Sequence, residues 1–446
     1  MHPAPHETEH LVIIGNGMAG HRLVEALLER PDRPRRITVI GDERHAAYNR
    51  ILLSPWLAGE MEREALTLRK AEWYAEQGIE LLLGERVTSI DRTARRLTTD
   101  AGRALDYHRL VLATGSRPAL PAVPGIALSG VHGFRDLDDA EALAGVAERG
   151  GQVVVVGGGL LGLEAAEGLR KRGEGSHPQG SRGLAVSVLQ RAERLMNRQL
   201  DATAATLLEA ELGRRGLAIH TGVQLAAIEG DHHGRVTGVR LTDGRRLAAD
   251  GVVVAAGIAP NAELGQRAGL AVDRAIVVDA TLTTSDPAIH ALGECCQFEG
   301  ITYGLVEPIW RQVAVLAARL CGEATPRYRE AATATRLKIS GISLFAFGPI
   351  EPDAGHEVLA YHDPGQGDYR RLLLRHGRLE GAILYGDTAM GPWLFRQAQA
   401  GLDLGPCRRA LLLGTAEADA LLAAHHFDTD STTDLDARDR PVKEAA

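Results

Sequence analysis

Two glycine-rich turns are the residues in this sequence whose type and spacing point most directly to chemistry. Residues 15–20 (GNGMAG) follow the apolar run HLVII, and residues 157–162 (GGGLLG) follow the run VVVV. Each matches G-x-G-x-x-G between a strand-like segment and an apolar-periodic helical segment. Such a turn lets the backbone approach a pyrophosphate, which the free amides and the dipole of the helix N-terminus then stabilise. Two such turns indicate a protein that brings two dinucleotides together.

The first turn is followed by a second strand-like segment that ends in acidic residues. In this kind of unit, an acid about 20 positions after the last glycine binds a ribose hydroxyl. Asp42 and Glu43, in the run ITVIGDE, both fit that spacing. The spacing does not choose between them, and an ordinary solvated acidic turn is the alternative.

The second turn lacks an acid at the corresponding place. Its second strand, LAVSVLQR, ends in Gln190 and Arg191. An acid there would repel a 2′-phosphate, whereas an arginine accommodates one. The pattern therefore admits NADPH, and NADH remains open if Arg191 points to solvent and Gln190 bonds a plain ribose.

Bulk properties exclude several classes of protein. A chain of 446 residues is expected to form two or three domains. Its net charge of −8 argues against nucleic acid or an anionic membrane surface as a partner. The N-terminal residues do not resemble a signal peptide and no apolar run could span a bilayer, so we expect a cytoplasmic protein without membrane contact. Four cysteines are too few for a disulfide framework, and the histidine pairs lack partners at metal-ligand spacing, so no metal is expected.

The order of segments predicts an α/β fold with repeated β-α-β units. Residues 9–118 contain the first unit, residues 150–250 repeat the scheme, and from residue 260 the pattern of segments resembles neither of these two parts. Residues 331–414 read as a separate α+β domain. Residues 415–446 are polar and turn-rich and are expected to be disordered.

Further runs occur in the order typical of flavoprotein reductases with two dinucleotide-binding domains, a group that includes rubredoxin and ferredoxin reductases. These runs are 112–115 (LATG), 257–261 (GIAPN), 284–287 (TSDP) and 291–294 (ALGE). The resemblance implies two Rossmann-like domains arranged as in glutathione reductase. Residues 9–118 with 251–330 would bind FAD, and residues 119–250 would bind NADPH or NADH.

A closer resemblance covers almost the whole chain. Residues 47–55 (AYNRILLSP), 194–196 (RLM) with 198–201 (RQLD), 293–295 (GEC) and 337–341 (LKISG) are similar to the FAD-containing part of NAD(P)H-dependent assimilatory nitrite reductase. They are also similar to the stand-alone electron-transfer subunit of assimilatory nitrate reductase. Large nitrite reductase subunits continue into an iron–sulfur module and a sirohaem domain. After Cys321 this chain has only Cys407, so a Cys₄ cluster is not expected and neither is nitrite reduction by the chain itself.

The resemblance also assigns site residues. Glu164 corresponds to the acid near the contact of nicotinamide and flavin. The alternative is that Glu164 is an acid in the first turn of a helix that only complements the helix dipole. Arg50 resembles the arginine that steadies the flavin nucleotide, with a surface charge as its alternative. Glu294 stands where the family usually has aspartate bonding the ribitol chain. The residues expected to bind FAD are Gly15, Gly17, Ala19, Gly20, Asp42, Glu43, Arg50, Val87, Ala113, Thr114, Gly115, Gly257, Gly293 and Glu294. Those expected to bind NAD(P)H are Gly157, Gly159, Gly162, Gln190 and Arg191.

The implied function is hydride transfer from a nicotinamide to FAD, followed by electron transfer to a partner. That partner would be a nitrate or nitrite reductase, or a small iron–sulfur carrier. A rubredoxin- or ferredoxin-type reductase and a slow-turnover redox-sensing flavoprotein are the alternatives. A redox disulfide between Cys295 and Cys296 is disfavoured, because such enzymes need cysteine near the second strand and residues 42–60 contain none. Residues 331–414 are expected to form a docking or homodimer-side module, with exposed aromatic side chains at Trp393 and Phe395.

Overall fold

The computed structural model describes residues 9–176, 183–324, 326–337 and 339–423. Two compact units are distinguished by their internal contacts. One comprises the described residues of Met1–Arg191 and Gly216–Ala331, and the other comprises those of Ala192–Arg215 and Ala332–Ala446. In these described ranges no helix is both long enough and apolar enough to cross a membrane.

The helices begin where the sequence supplies capping residues or glycine turns. Asp136 caps one helix by accepting a hydrogen bond from the Asp139 N–H at 2.8 Å, and Asp201 caps another through the Ala204 N–H at 3.0 Å. In chain order the α-helices are α1 (Met18–Leu28), α2 (Leu53–Leu57), α3 (Ala71–Glu76), α4 (Leu137–Arg149), α5 (Leu160–Ser176), α6 (Ala202–Arg214), α7 (Glu263–Arg267), α8 (Val306–Leu320) and α9 (Gly391–Ala400).

The strands of the first unit fall into two large parallel sheets and several small sheets. They are β1 (His10–Ile14), β2 (Arg36–Gly41), β3 (Ile79–Leu83), β4 (Val87–Asp91), β5 (Arg96–Thr99), β6 (Ala104–Asp106), β7 (Arg109–Leu112), β8 (Ser116–Pro118), β9 (Val131–His132), β10 (Gly151–Val156), β11 (Leu184–Leu189), β12 (Ala218–His220), β13 (Leu225–Gly230), β14 (Val236–Leu241), β15 (Arg246–Ala248), β16 (Gly251–Val254), β17 (Ile258–Pro260), β18 (Ile276–Val277), β19 (Ile289–Ala291), β20 (Cys296–Phe298) and β21 (Ile301–Thr302).

The first glycine turn leaves the middle of a parallel sheet. The strand order is β19-β7-β1-β2-β3, and every residue of β1 is buried, as expected of a strand covered on both faces. Ile14 at the end of β1 pairs with Ile40 on one side and Leu112 on the other. The turn therefore opens at the carboxyl edge between β2 and β7, where open α/β sheets bind their ligands.

The second glycine turn has the same placement. Its sheet has the order β12-β11-β10-β16-β9, with β10 in the centre and all pairings parallel. Val156 at the end of β10 pairs with Leu189 and Val254. The chain thus contains the two repeated dinucleotide-type units that the glycine turns predict.

Two short strands form a sheet of their own: β8 follows β7 of the first large sheet, and β17 follows β16 of the second. β8 pairs antiparallel with β17, so that Ser116 lies opposite Pro260. Small antiparallel sheets, β4-β5-β6 and β13-β14-β15, extend the two halves. The segments that follow the first sheet and lead back to it therefore meet at one place.

The second unit is built on an antiparallel sheet of order β22-β23-β26-β25-β24. Helix α9 contributes Trp393 and Phe395 to a buried cluster with Phe345 and Phe347. The sheet also bonds the residues around α6: Tyr369 donates to Asp201 at 2.5 Å. Its strands are β22 (Thr335–Arg336), β23 (Leu344–Phe347), β24 (Glu357–Asp363), β25 (Asp368–Arg375) and β26 (Arg378–Tyr385).

Three expectations need correction here. Trp393 and Phe395 are 7% and 9% exposed rather than surface aromatics, because the sheet covers α9 and Asp419 accepts the Trp393 indole N–H at 2.7 Å. Residues 415–423, expected to begin a disordered tail, are helical, and residues 424–446 lie outside the described residues. Residues 192–215, expected within the NAD(P)H-binding part, group with the C-terminal sheet because Asp201 bonds to it.

Candidate functional site

The first glycine turn has the shape that a dinucleotide pyrophosphate requires. A Cβ atom on Gly15 would lie 2.1 Å from the Ala113 oxygen, and one on Gly20 would lie 2.0 Å from the Gly15 oxygen. These two glycines are therefore needed for packing. Among the described residues, a Cβ on Gly17 would come within 4 Å of Arg50 alone, at 3.9 Å, so there is space beside Gly17 before the N-terminus of α1. The arrangement leaves room for the pyrophosphate of a dinucleotide.

The two candidate acids after β2 have different surroundings. Asp42 is exposed and pairs with Arg86 at 3.4 Å. Glu43 is half-buried, accepts a hydrogen bond from the Tyr48 hydroxyl at 2.7 Å and forms an ion pair with Arg50. Burial raises the pKa of Tyr48, which keeps its hydroxyl protonated as a donor. The structure therefore brings Glu43 and Arg50 together beside Gly17.

In the second glycine turn, as in the first, the outer two glycines of the pattern are closely packed and the middle one is not. A Cβ on Gly157 would lie 2.4 Å from the Ala255 oxygen, and one on Gly162 would lie 1.9 Å from the Gly157 oxygen. Around Gly159 no described atom comes within 4 Å of such a Cβ. The Gly158 N–H donates to Gln190 Oε1 at 3.1 Å, while Arg191 is exposed. Gln190 thus faces the turn from the position where related sites carry an acid.

A buried hydrogen bond joins the two halves of the first unit. Ser54 in α2 donates from Oγ to Glu164 Oε2 in α5 at 2.8 Å, and Glu164 is 8% exposed. The helices pack closely here, since a Cβ on Gly168 would lie 3.2 Å from the Leu57 side chain. Glu164 therefore contacts the segment that follows the first glycine unit.

The segments that contain β8 and β17 are also joined by hydrogen bonds between their flanking residues. Thr114 donates from Oγ1 to the Asn261 carbonyl oxygen at 2.7 Å, and Asn261 donates back to the Thr114 oxygen at 2.8 Å. Gly115 and Gly257 both adopt positive φ, of 66° and 127°. Gly293 lies close to α1, because a Cβ there would be 3.3 Å from the Ala19 Cβ. Of the expected FAD-binding residues, Val87 is a buried residue at the start of β4.

Glu294 makes contacts that the sequence did not predict. It accepts a hydrogen bond from Ser116 Oγ at 2.8 Å and forms an ion pair with Arg135. Arg50 in turn donates to the Arg135 carbonyl oxygen at 3.2 Å. Ser116 and Arg135 carry no spacing pattern of their own. The only sequence clue was the position of Arg135 directly before the helix cap Asp136.

The vicinal cysteines are buried thiols. Cys295 donates from Sγ to the Leu112 and Leu292 oxygens, each at 3.3 Å, and Cys296 donates to the Gly293 oxygen at 3.3 Å. Neither forms a disulfide, and burial raises the pKa of both thiols. Within the described ranges, no three His, Cys, Asp or Glu side chains are grouped so as to hold a metal ion.

Comparison with known proteins agrees with this geometry. Residues 9–331 match the family model described as pyridine nucleotide-disulphide oxidoreductase, and residues 334–398 match the rubredoxin NAD⁺ reductase C-terminal domain. The solved covalent putidaredoxin reductase–putidaredoxin complex is similar at a TM-score of 0.81 and 29% identity. That match covers 94% of this chain and 99% of the solved chain.

Three curated proteins illustrate the relationship. A nitrite reductase [NAD(P)H] of Bacillus subtilis (strain 168) is 39% identical over 403 residues, which cover 90% of this chain and 49% of the relative. The assimilatory nitrate reductase electron transfer subunit of the same organism is 39% identical over 380 residues, covering 85% and 48%. Putidaredoxin reductase CamA of Pseudomonas putida is 35% identical over 408 residues, covering 88% and 91%.

The chain spans about half the length of the first two of these relatives. The α/β fold with two Rossmann-like units and a C-terminal domain is confirmed by the solved structures. The resemblance to nitrite and nitrate reductase flavoproteins is confirmed by the curated relatives. The chain therefore belongs to the pyridine nucleotide-disulphide oxidoreductase family, the FAD- and NAD(P)H-dependent oxidoreductases.

Proposed function

We propose that this chain is an NAD(P)H-dependent FAD oxidoreductase that passes electrons from the nicotinamide through FAD to a partner nitrate or nitrite reductase. The observation that carries the proposal is the buried hydrogen bond between Ser54 and Glu164. It joins the segment after the first glycine unit to the helix of the second glycine turn. Two dinucleotides that start from these turns would therefore extend toward one another.

FAD would lie along the first glycine unit. Gly17 leaves room for its pyrophosphate, and Arg50 supplies a cation beside that space. When bound, FAD accepts hydride from a nicotinamide and releases electrons to an acceptor. The residues proposed to hold it are Gly15, Gly17, Ala19, Gly20, Asp42, Glu43, Arg50, Val87, Ala113, Thr114, Gly115, Gly257, Gly293 and Glu294.

NADPH or NADH would bind at the second glycine unit. The open space at Gly159 suits its pyrophosphate. Gln190, which accepts the Gly158 N–H, and the exposed Arg191 would face the adenosine ribose. Glu164 is proposed as the catalytic residue, because its buried carboxylate lies where the two halves meet and would orient the nicotinamide. The remaining residues proposed for this site are Gly157 and Gly162.

The domain roles follow from these sites. Residues 9–118 with 251–330 are proposed as the FAD-binding domain. Residues 119–250, apart from the segment 192–215 that groups with the C-terminal sheet, are proposed as the NAD(P)H-binding domain, and residues 331–414 as a docking or homodimer interface. The identity of 39% to both a nitrite reductase and a nitrate reductase electron transfer subunit supports the choice of acceptor. The four unpaired cysteines suit a reducing compartment, which supports a cytoplasmic location.

A second candidate is a reductase of small iron–sulfur carriers. The similarity to putidaredoxin reductase favours it, because this match covers 91% of the relative and not only half of it. The two candidates share the reduction of FAD by NAD(P)H and differ only in the electron acceptor.

The two candidates are separated by measuring acceptor preference. Purified full-length chain with FAD and NADPH would be supplied with a nitrate reductase, a nitrite reductase, a rubredoxin or a ferredoxin in turn. The proposal predicts that kcat/KM for a nitrate or nitrite reductase exceeds that for either small carrier. Preference for a small carrier would support the second candidate, and FAD reduction without fast transfer to any acceptor would favour a redox sensor.

A further inference from the structure

A polar side chain inside the first glycine turn is not explained by the pyrophosphate pattern. Asn16 stands between the first two glycines, where the pattern accepts any residue. Its stem lies against the end of β2, because a Cβ on Gly41 would be 2.9 Å from the Asn16 Cβ. The Asn16 side chain therefore lies where the glycine turn meets the end of β2, close to the point at which Asp42 and Glu43 follow that strand.

Two buried side chains hold the Asn16 amide in one orientation. Tyr74 of α3 donates from its hydroxyl to Asn16 Oδ1 at 3.2 Å. The same hydroxyl lies 2.7 Å from Nδ1 of His21 in α1. Tyr74 is 0% exposed and His21 is 2% exposed. Polar networks buried in this way restrict the orientation of their members, because a side chain that turns away leaves its partner without a hydrogen bond.

The amide nitrogen of Asn16 has no such partner. Nδ2 is shielded from solvent and makes no hydrogen bond to any residue that the structure describes. An unsatisfied buried donor destabilises a protein unless something else compensates. Because Tyr74 engages Oδ1, it is the amide nitrogen that is left without an acceptor in the glycine turn.

We propose that Asn16 is an FAD-binding residue that donates from Nδ2 to the adenosine half of the cofactor, with Tyr74 and His21 as its positioning residues. The inference rests on the proposed FAD site at the first glycine turn. This role accounts for the contacts of Tyr74 with Asn16 and His21, which the glycine turn itself does not require. The cofactor oxygens of ribose and pyrophosphate are the acceptors that such a donor would recognise.

The test measures FAD affinity and apoprotein stability separately, on the full-length chain after removal of the flavin. Asn16→Leu keeps a similar volume but removes the amide. It is expected to raise the Kd for FAD about tenfold, the scale of one lost hydrogen bond to a charged or strongly polar group. Thermal unfolding of the apoprotein is expected to change no more than in the control Tyr107→Phe, a buried tyrosine of the same unit outside this network.

The positioning role is tested by a double-mutant cycle. Tyr74→Phe should raise the Kd for FAD by a smaller factor, because the amide remains but loses its support. The double variant Asn16→Leu/Tyr74→Phe should bind FAD no more weakly than Asn16→Leu alone. Additive losses would overturn the positioning role of Tyr74.

Two outcomes separate this inference from the function on which it rests. Unchanged FAD affinity in Asn16→Leu, while Gly17→Val loses FAD, would overturn the role of Asn16 and leave the FAD site standing. Full FAD binding by Gly17→Val would overturn the FAD site itself. If Asn16→Leu does not fold, Tyr74→Phe decides: an FAD Kd equal to that of Tyr107→Phe would refute the inference.

Discussion

Gly17 and Gly159 are the second glycines of the two G-x-G-x-x-G patterns, and an added Cβ at either would not clash with the protein. Neither has a positive φ, and the added Cβ would meet Arg50 at 3.9 Å in one case and no described atom within 4 Å in the other. Valine at either position should therefore cost the fold little. Their functional effects should differ, because each glycine serves a different dinucleotide.

Gly17→Val is expected to purify with at least tenfold less FAD, because the valine side chain occupies the place of the pyrophosphate. Gly159→Val is the matched control: it should retain FAD but lose reduction of the flavin by NAD(P)H. Flavin content by absorbance and NAD(P)H binding by fluorescence would be measured on both. A Gly17→Val protein with full flavin would refute the assignment of the first turn.

The preference for NADPH or NADH is expected to depend on Gln190. Its Oε1 already accepts the Gly158 N–H at 3.1 Å, so glutamate can keep this bond while adding a negative charge. We expect NADPH to be used at least as well as NADH. Gln190→Glu should lower the NADPH/NADH ratio of kcat/KM by roughly tenfold or more, because the carboxylate repels a 2′-phosphate and bonds a free ribose. An unchanged ratio would show that this strand end does not discriminate.

Cys295 and Cys296 should be dispensable for flavin reduction. Burial raises the pKa of both thiols, so they stay protonated near neutral pH and are poor nucleophiles. The double alanine variant should reduce FAD within a few-fold of the parent and lose about 1–2 kcal/mol of stability through packing. Anaerobic titration is the check: more than one two-electron equivalent per FAD, lost in the variant, would demonstrate a redox disulfide.

At the scale of elements, α6 depends on the C-terminal sheet. Asp201 caps α6 and is held by Arg371 at 2.6 Å, with side-chain exposures of 4% and 13%. Removing Arg371 leaves a buried carboxylate without its charged partner. Arg371→Met should therefore lower the free energy of unfolding by about 3 kcal/mol.

A neighbour on the same strand provides the control for this prediction. Arg375 of β25 also forms ion pairs, but it is 31% exposed and its partner Asp353 is 62% exposed. Arg375→Met should cost at most about 1 kcal/mol in urea unfolding. Equal losses for the two variants would contradict the buried role of Arg371.

The same elements show what sequence patterns can predict. Both glycine turns and their parallel sheets follow from local rules, because each turn is contiguous with its strand and helix. The grouping of α6 with the C-terminal sheet does not, since it depends on Asp201 meeting residues about 170 positions later in the chain. The predicted exposure of Trp393 and Phe395 is wrong because the sequence around them gives no sign of the second layer that covers α9.

Individual contacts in the site were predictable to a lesser degree. The spacing could not choose between Asp42 and Glu43, whereas the structure pairs Glu43 with Arg50 beside the first turn. The ion pair of Glu294 with Arg135 joins residues far apart in sequence, and no pattern marks it. Contacts of this kind are set by the packed arrangement of several segments, which one sequence does not reveal.

At the scale of the whole molecule, the proposed function requires two dinucleotides to meet within one compact unit and the electrons to leave for a separate acceptor. The buried hydrogen bond between Ser54 and Glu164 joins the two halves of this unit. Every other assignment, including the partner reductase, depends on hydride passing between the two sites.

Rapid anaerobic mixing of the FAD-loaded chain with NADPH tests this requirement most directly. We expect one equivalent of NADPH to bleach the flavin absorbance completely, at a rate no slower than the kcat of the enzyme. Recovery of the absorbance should follow when oxidised nitrate or nitrite reductase is added. A flavin that stays oxidised with excess NADPH and with excess NADH would contradict the central claim that the two glycine turns bring a nicotinamide to FAD.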